Sequence, residues 1–226
     1  MATLHQLDEL PAATSVAQTD TIAFIDVSAG YTVRGTRQEL IEGTTTDKAT
    51  AVGAINAATG LACAIEYGPA GLFRLTFTMT ALSLTVTDAG GSGSSASLKI
   101  FDFVQAGVRI LGSRQDYTAF AEGAALTGAA GDAAFVMALG SVAANAGDGA
   151  LTGTEVDIAA ATATITLSGG TGTGGKFEAS TTVLDGTSTA VDVYLNWSGT
   201  AATIDANSTI SVTGTITVTG VLLGDD

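Results

Sequence analysis

Few residues in this chain of 226 could do nucleophilic or metal chemistry, since it holds one histidine, His5, and one cysteine, Cys63. A Ser/His/Asp triad needs a histidine base, and His5 lies in residues 1–9, which we predict to be a flexible tail. A zinc site needs several His or Cys ligands, so we expect no metal and no cofactor. Apolar neighbours on both sides predict that Cys63 is a buried thiol in a strand.

Carboxylates are plentiful, with 22 acidic residues, so residue types alone permit a two-carboxylate glycosidase. Sugar clefts usually also present aromatic platforms, however, and Trp197 is the only tryptophan. Glu155 and Asp157 would share one face if they lay in a strand. We interpret them as a loop or surface pair, with a calcium site as the alternative. We therefore expect no catalytic residues, and a protein that is not an enzyme.

The segment GGTGTGGKF, residues 169–177, has the glycine and lysine spacing of a phosphate-binding loop at Gly170, Gly175 and Lys176. Phe177 stands where such a loop needs a Ser or Thr to hold magnesium. A phosphate-binding loop also opens a helix, whereas the residues after it are β-prone. We predict a glycine-rich hairpin instead.

The formal net charge of −14 would repel phosphate backbones, so we expect no nucleic-acid partner. No segment is long and apolar enough to span a membrane, and no signal peptide opens the chain, so we expect no membrane partner and synthesis in the cytoplasm. After Arg114 the only cation is Lys176. This gradient is either ordinary for an acidic protein or a sign that the N-terminal half docks on an acidic surface.

The chain divides into an N-terminal arm, 1–43, a linker, 44–60, and a main domain, 61–226. In the arm, TDTIAFIDVS and YTVRG predict a β-hairpin, and TRQELIEG, 36–43, has the capping-box pattern of a short helix. Such a unit is too small to hold a core by itself. The linker is small and polar, with a short helix over 49–58 as an option.

The main domain is predicted to be an all-β antiparallel jelly roll or β-sandwich, because strand patterns recur every 10 to 15 residues without long helices. In LFRLTFTMTALSLTVTD, 72–88, the apolar phase flips between Met79 and Leu82, which predicts a β-bulge or a bend between sheets. DAAFVMALGSVAANAGDG, 132–149, favours a strand interrupted at Gly140, with a short helix capped by Asp132 as the alternative, and EVDIAAATATITLSGG predicts a further strand. The predicted core residues are Leu75, Phe77, Leu84, Val86 and Trp197.

Residues 10–43, LPAATSVAQTDTIAFIDVSAGYTVRGTRQELIEG, resemble a short unit at the start of many tailed-bacteriophage virion proteins. The main domain resembles jelly-roll virion proteins encoded near the major capsid protein, through LTFTMTALSLTVTDAG, SLKIFDFVQAGVRILGS, DVYLNWSG and ISVTGTITVTG. One departure is the segment after "DF", where that family often carries Pro and acidic residues and this chain has Val104, Gln105 and Ala106.

The resemblance implies a structural capsid cement, or decoration, protein. Such proteins sit as homotrimers on the capsid exterior of the virion, bind the major capsid protein and stabilise the shell. The arm would then be the attachment unit. Its candidate docking residues are Leu10, Ile22, Phe24, Arg34 and Arg37.

Three alternatives remain at this point. The hairpin could pack on its own jelly roll rather than on a shell. The protein could be a tail or tail-fibre adaptor, although the sequence shows no shaft repeats and no heptads. A carboxylate enzyme or a glycan-binding module would need a tight cleft that holds perturbed carboxylates.

Overall fold

The computed structural model describes the backbone of 21–26 and 31–36, and residues 52–88, 93–103, 107–122, 134–145, 150–167, 171–186, 188–199 and 207–224. The chain forms two compact units, Met1–Thr46 and Asp47–Asp226. Antiparallel strands dominate the described residues, which confirms the predicted all-β fold class.

The first unit contains an antiparallel hairpin of β1 (Thr21–Asp26) and β2 (Tyr31–Thr36). Its register pairs Ile22 with Gly35 and Phe24 with Val33. The predicted hairpin is therefore confirmed. The predicted helix over 36–43 lies outside the described residues, apart from Thr36 at the end of β2.

The second unit contains eleven strands within its described residues, in two sheets that share β5. They are β3 (Gly53–Ile55), β4 (Leu61–Tyr67), β5 (Leu72–Asp88), β6 (Ser94–Phe103), β7 (Gly107–Glu122), β8 (Ala134–Gly140), β9 (Ile165–Thr166), β10 (Thr171–Ala179), β11 (Val183–Asp185), β12 (Val191–Gly199) and β13 (Ser208–Gly224).

The larger sheet has the order β4-β5-β13-β7-β10, and β11 pairs with the start of β7. The smaller sheet has the order β6-β12-β8-β9, and β3 pairs with the end of β6. The last residues of β5, Thr87 and Asp88, pair with Ser95 and Ser94 of β6. One strand therefore belongs to both sheets.

The predicted phase slip in β5 is a β-bulge. Met79 pairs with Gly214 and Leu82 with Val212, so Thr80 and Ala81 together stand opposite Thr213. Ala81 has a φ of 48°, and its N–H donates to Thr213 Oγ1 at 3.0 Å. The extra residue keeps the apolar side chains before and after the bulge on the core side.

The core lies between the two sheets. Phe77 of the larger sheet meets Phe101 of the smaller one edge to face, with ring centroids 5.8 Å apart, and Phe120 meets Phe135 in the same way at 5.0 Å. Aromatic side chains thus join the sheets at two places. The residues predicted to form the core are all buried, namely Leu75, Phe77, Leu84, Val86 and Trp197.

Three segments differ from their sequence predictions. Gly53–Ile55, inside the predicted linker, forms β3, and Asn56 N–H donates to Ile100 O at 2.9 Å, so the sandwich begins before Leu61. Residues 107–122, in which the patterns of GVRILGS and RQDYTAFA predict two strands, form one. The segment from Glu155 to Leu167, predicted as a strand, contains only the two-residue β9 within its described length, because side-chain hydrogen bonds hold the rest in an irregular path.

Within the glycine-rich segment, residues 171–177 lie in the edge strand β10, and 169–170 lie outside the described residues. Gly174 lies so close to β9 that an added Cβ would be 2.6 Å from Ile165 Cγ1. Glycine lets the edge strand approach its neighbour closely. The described residues of the predicted hairpin are therefore extended strand, and Gly174 is explained by its close approach to β9.

Leu75→Ala or Phe77→Ala should each destabilise the protein by about 2–5 kcal/mol. Both side chains are buried, so their truncation leaves a cavity that the surrounding side chains fill only in part. The matched control is Thr78→Ala, an exposed position on the same strand, which should change the free energy of unfolding by less than about 0.5 kcal/mol. Urea denaturation measures all three. Equal effects at Thr78 and Leu75 would contradict the assigned faces of β5.

Candidate functional site

Asn196 of β12 is fully buried and organises the end of the smaller sheet. Its Nδ2 donates to the backbone oxygens of Val142 at 2.9 Å and Glu155 at 2.8 Å. Its Oδ1 accepts from the N–H of Ala144 at 3.0 Å and from Ser97 Oγ at 2.7 Å. One amide thereby uses both its donor and acceptor capacity to tie an irregular segment to the sheet.

The two carboxylates singled out from the sequence, Glu155 and Asp157, take part in the same structure. Glu155 is 7% exposed; its Oε2 accepts from Thr152 N–H at 2.8 Å, in a capping box, and its Oε1 from Asn145 N–H at 2.7 Å. Asp157 accepts from the N–H and the Oγ of Ser141, at 2.8 and 2.7 Å. Both carboxylates therefore stabilise the local fold.

Glu155 and Asp157 are not brought together as a ligand pair, since each accepts hydrogen bonds from a different part of the chain. Within the described ranges, no group of three or more His, Cys, Asp or Glu residues could hold a metal ion. The backbone of Gly140 packs directly against the backbone of Glu155, because a Cβ at Gly140 would lie 2.2 Å from the Glu155 carbonyl carbon.

A second polar cluster lies on the smaller sheet. Lys99 Nζ is 2.6 Å from Asp102 Oδ1 and 2.8 Å from Asp192 Oδ1, and Tyr194 Oη donates to Asp192 Oδ2 at 2.9 Å. Hydrogen bonds to Asp102 and Asp192 raise the pKa of Lys99, and the bond from Lys99 lowers the pKa of Asp192. The bond to Asp192 raises the pKa of Tyr194. These shifts move the pKa values of Lys99, Asp192 and Tyr194 further from 7, so the three groups are unsuited to proton transfer near pH 7.

Asp192 and Tyr194 also line an open groove of about 590 Å³, together with Asp185, Val142 and Val191. We call it the acidic groove. It combines carboxylates with small apolar side chains and has no aromatic platform other than Tyr194 among its lining residues.

The outer face of the larger sheet carries exposed apolar side chains beside arginines. We call it the apolar–basic face, and it comprises Leu72, Arg74, Arg109, Leu111, Arg114, Phe177 and Val183. Phe177 is 77% exposed. Its strand neighbour across β10 and β7 is Arg114, which pairs in turn with Thr217 of β13. Cross-strand register thus places residues from distant parts of the sequence side by side.

The structure also shows the contacts of two other residues singled out from the sequence, Cys63 and Lys176. Cys63 lies half-buried in β4, as expected for a strand, and burial raises the pKa of its thiol to about 11. The thiol is protonated at neutral pH and is therefore a poor nucleophile. Lys176 Nζ donates to Ala161 O at 3.1 Å and lies 2.9 Å from Glu178 Oε2, so it braces β10.

Three docking candidates of the N-terminal arm lie in the hairpin: Ile22 and Phe24 in β1, and Arg34 in β2, where it pairs with Ala23. Leu10 and Arg37 lie outside the described residues, as does His5.

Sequence reasoning missed Asn196, Ser97 and the apolar–basic face. The burial of Asn196 has a weak signal, a polar residue between the apolar Leu195 and Trp197 of a strand. Phe177 stood out only as the residue that spoils a phosphate-binding loop. An aromatic side chain on the exposed side of a glycine-rich strand is the feature that could have revealed this face.

Comparison with known proteins gives no relative: no family model, no curated protein and no solved structure matches this chain. Across the residues that the structure describes, no helix is long and apolar enough to cross a membrane.

Asn196→Ala should cost about 2–4 kcal/mol of stability, because it leaves the buried Glu155 carbonyl and the partly buried Val142 carbonyl without their donor. Amide hydrogen exchange should accelerate most in 141–158, and urea denaturation should give the free energy. The matched control is Asn207→Ala, an exposed position whose Oδ1 accepts one bond from Asp88 N–H. Unchanged exchange in 141–158 would show that the amide does not hold this segment.

Proposed function

We propose that this protein is a structural component of a tailed-bacteriophage virion, a capsid decoration protein that binds the outer shell as a trimer and stabilises it. The observation that supports this most is the division of the chain into a small N-terminal unit, Met1–Thr46, and a β-sandwich, Asp47–Asp226. A separate N-terminal unit that precedes a β-sandwich is the arrangement expected of a capsid decoration protein with an attachment arm.

The hairpin of the first unit favours attachment on energetic grounds. An isolated two-stranded hairpin is marginally stable at best in water, because it cannot bury enough apolar surface. A segment of this kind gains order by binding a larger surface. In the proposed function that surface is the major capsid protein, and Ile22 and Phe24 form the apolar side of the contact.

The chemistry of the sandwich also supports a structural role over catalysis. The carboxylates of Glu155 and Asp157 accept backbone hydrogen bonds. In the cluster on the smaller sheet, the pKa of Lys99 is raised and the pKa of Asp192 is lowered by the hydrogen bond between them. Active sites usually shift the pKa of a group toward its working pH. The shifts in this cluster run in the opposite direction.

Deletion of Met1–Thr46 should leave a folded sandwich that no longer binds capsids, because the attachment unit is lost while the core of Asp47–Asp226 is complete. Circular dichroism and thermal unfolding report the fold, and co-sedimentation with capsids stripped of this protein reports binding. Phe24→Asp in the full chain should weaken binding in the same assay. Unchanged co-sedimentation of the truncated protein would contradict attachment through this unit.

A further inference from the structure

We propose that a hollow beside Phe177, on the outer face of the larger sheet, binds a neutral saccharide whose sugar rings stack on the Phe177 side chain. We call it the Phe177 hollow. Its volume is about 430 Å³, and its lining includes Arg74, Leu111, Arg114, Phe177, Thr217 and Thr219. The inference goes beyond the proposed function, because it adds ligand binding to a structural role and does not depend on the N-terminal unit.

A β-bulge in β7 shapes the Phe177 hollow. Thr219 of β13 pairs with Gly112, whereas the next residue, Gly220, pairs with Ile110. Leu111 is therefore the extra residue of the bulge, and its side chain is 39% exposed. Gly112, the next residue that lines the hollow, has no side chain to fill the surface. The bulge thus places an apolar wall beside an unfilled stretch of backbone.

The Phe177 ring is the platform of this hollow. Among the described residues it is the only aromatic side chain that is exposed, with 77% of its surface open to solvent. An aromatic ring has a flat π face with partial negative charge. The C–H groups on one face of a pyranose carry partial positive charge and form a flat apolar surface. A sugar ring can therefore stack on Phe177 and remove it from water.

Two arginines border the hollow, and each is paired with a carboxylate. Arg114 stands opposite Phe177 in the register of β10 and β7, and its Nε lies 2.5 Å from Asp116 Oδ2. Arg74 forms an ion pair with Glu66. The hollow therefore has no excess of cations from these arginines, which favours an uncharged ligand over a phosphate or a carboxylate.

The hollow still has hydrogen-bonding groups for sugar hydroxyls. A guanidinium has more N–H donors than one carboxylate contact uses. Thr217 and Thr219 line the hollow as well, and within the described residues no hydrogen bond engages their hydroxyls. Sugar hydroxyls can pair with these donors and acceptors, whereas an apolar peptide side chain would cover them without a partner.

A second hollow continues the site along the sheet. Its volume is about 400 Å³, and Leu72 and Tyr67 line it. Arg74 and Thr219 line both hollows. Two hollows that share residues can hold consecutive sugar units of one chain. The site therefore suits an oligosaccharide or a polysaccharide better than a single sugar.

The arrangement is suited to binding and not to hydrolysis. A glycosidase needs two carboxyl groups that flank the scissile bond, one of them held in its acid form. Asp116 and Glu66 are each engaged by an arginine instead. The tight cleft with perturbed carboxylates that the sequence made a condition is a requirement of hydrolysis, whereas binding requires a platform and hydrogen-bonding groups.

Native electrophoresis in gels that contain a soluble neutral polysaccharide tests the site, with dextran, galactomannan and mixed-linkage β-glucan as separate probes. We expect the full chain to migrate more slowly in at least one of these gels than in a gel without polysaccharide. In that gel Phe177→Ala should weaken binding about tenfold, because the stacking ring is lost. Val183→Ala is the matched control, an exposed apolar position outside the hollow, and should bind like the unmodified protein.

Unchanged migration in all three gels would overturn the inference, as would equal retardation of Phe177→Ala and the unmodified protein. Stronger retardation by dextran sulfate than by every neutral probe would show an anion site and contradict the neutral ligand. Circular dichroism and thermal unfolding of both variants should match the unmodified protein, since both side chains are exposed. A loss of retardation in Phe177→Ala would then report the site and not the fold.

Discussion

Both sheets of the sandwich depend on β5 and on the bulge that keeps its apolar side chains facing inward. Because side chains alternate along a strand, a strand without the extra residue at Thr80–Ala81 would turn one half of its apolar set toward solvent. Leu82, Leu84 and Val86 are buried only because the bulge restores their phase. The same strand then ends against β6, so the bulge serves both layers.

The irregular segment after β8 shows how the second unit uses its polar residues. Asn196, Glu155 and Asp157 satisfy backbone groups that no strand partner reaches. Their side chains are therefore engaged in the fold. The acidic groove and the apolar–basic face lie on the surface of the sandwich.

Local patterns predicted much of the fold. The phase slip in β5, the strand β8 and the N-terminal hairpin all follow from residues adjacent in sequence. The course of 150–167 could not be predicted, because it depends on Asn196, whose bond to Glu155 spans 41 residues. The apolar–basic face was equally hidden, since only the strand order brings Phe177, Arg114 and Thr217 together. The glycines of β10 favoured a hairpin in the sequence, but Gly174 lies where β10 closely approaches β9, and both situations require a small residue.

The central claim, a capsid decoration protein, is tested most directly by the copy number of this chain in purified virions, measured by quantitative mass spectrometry against the major capsid protein. Decoration predicts hundreds of copies, in a ratio near one chain, or one trimer, to a few capsid subunits. A ratio of a few per cent would place the protein in the tail and contradict the account. Absence from virions would contradict a structural role altogether.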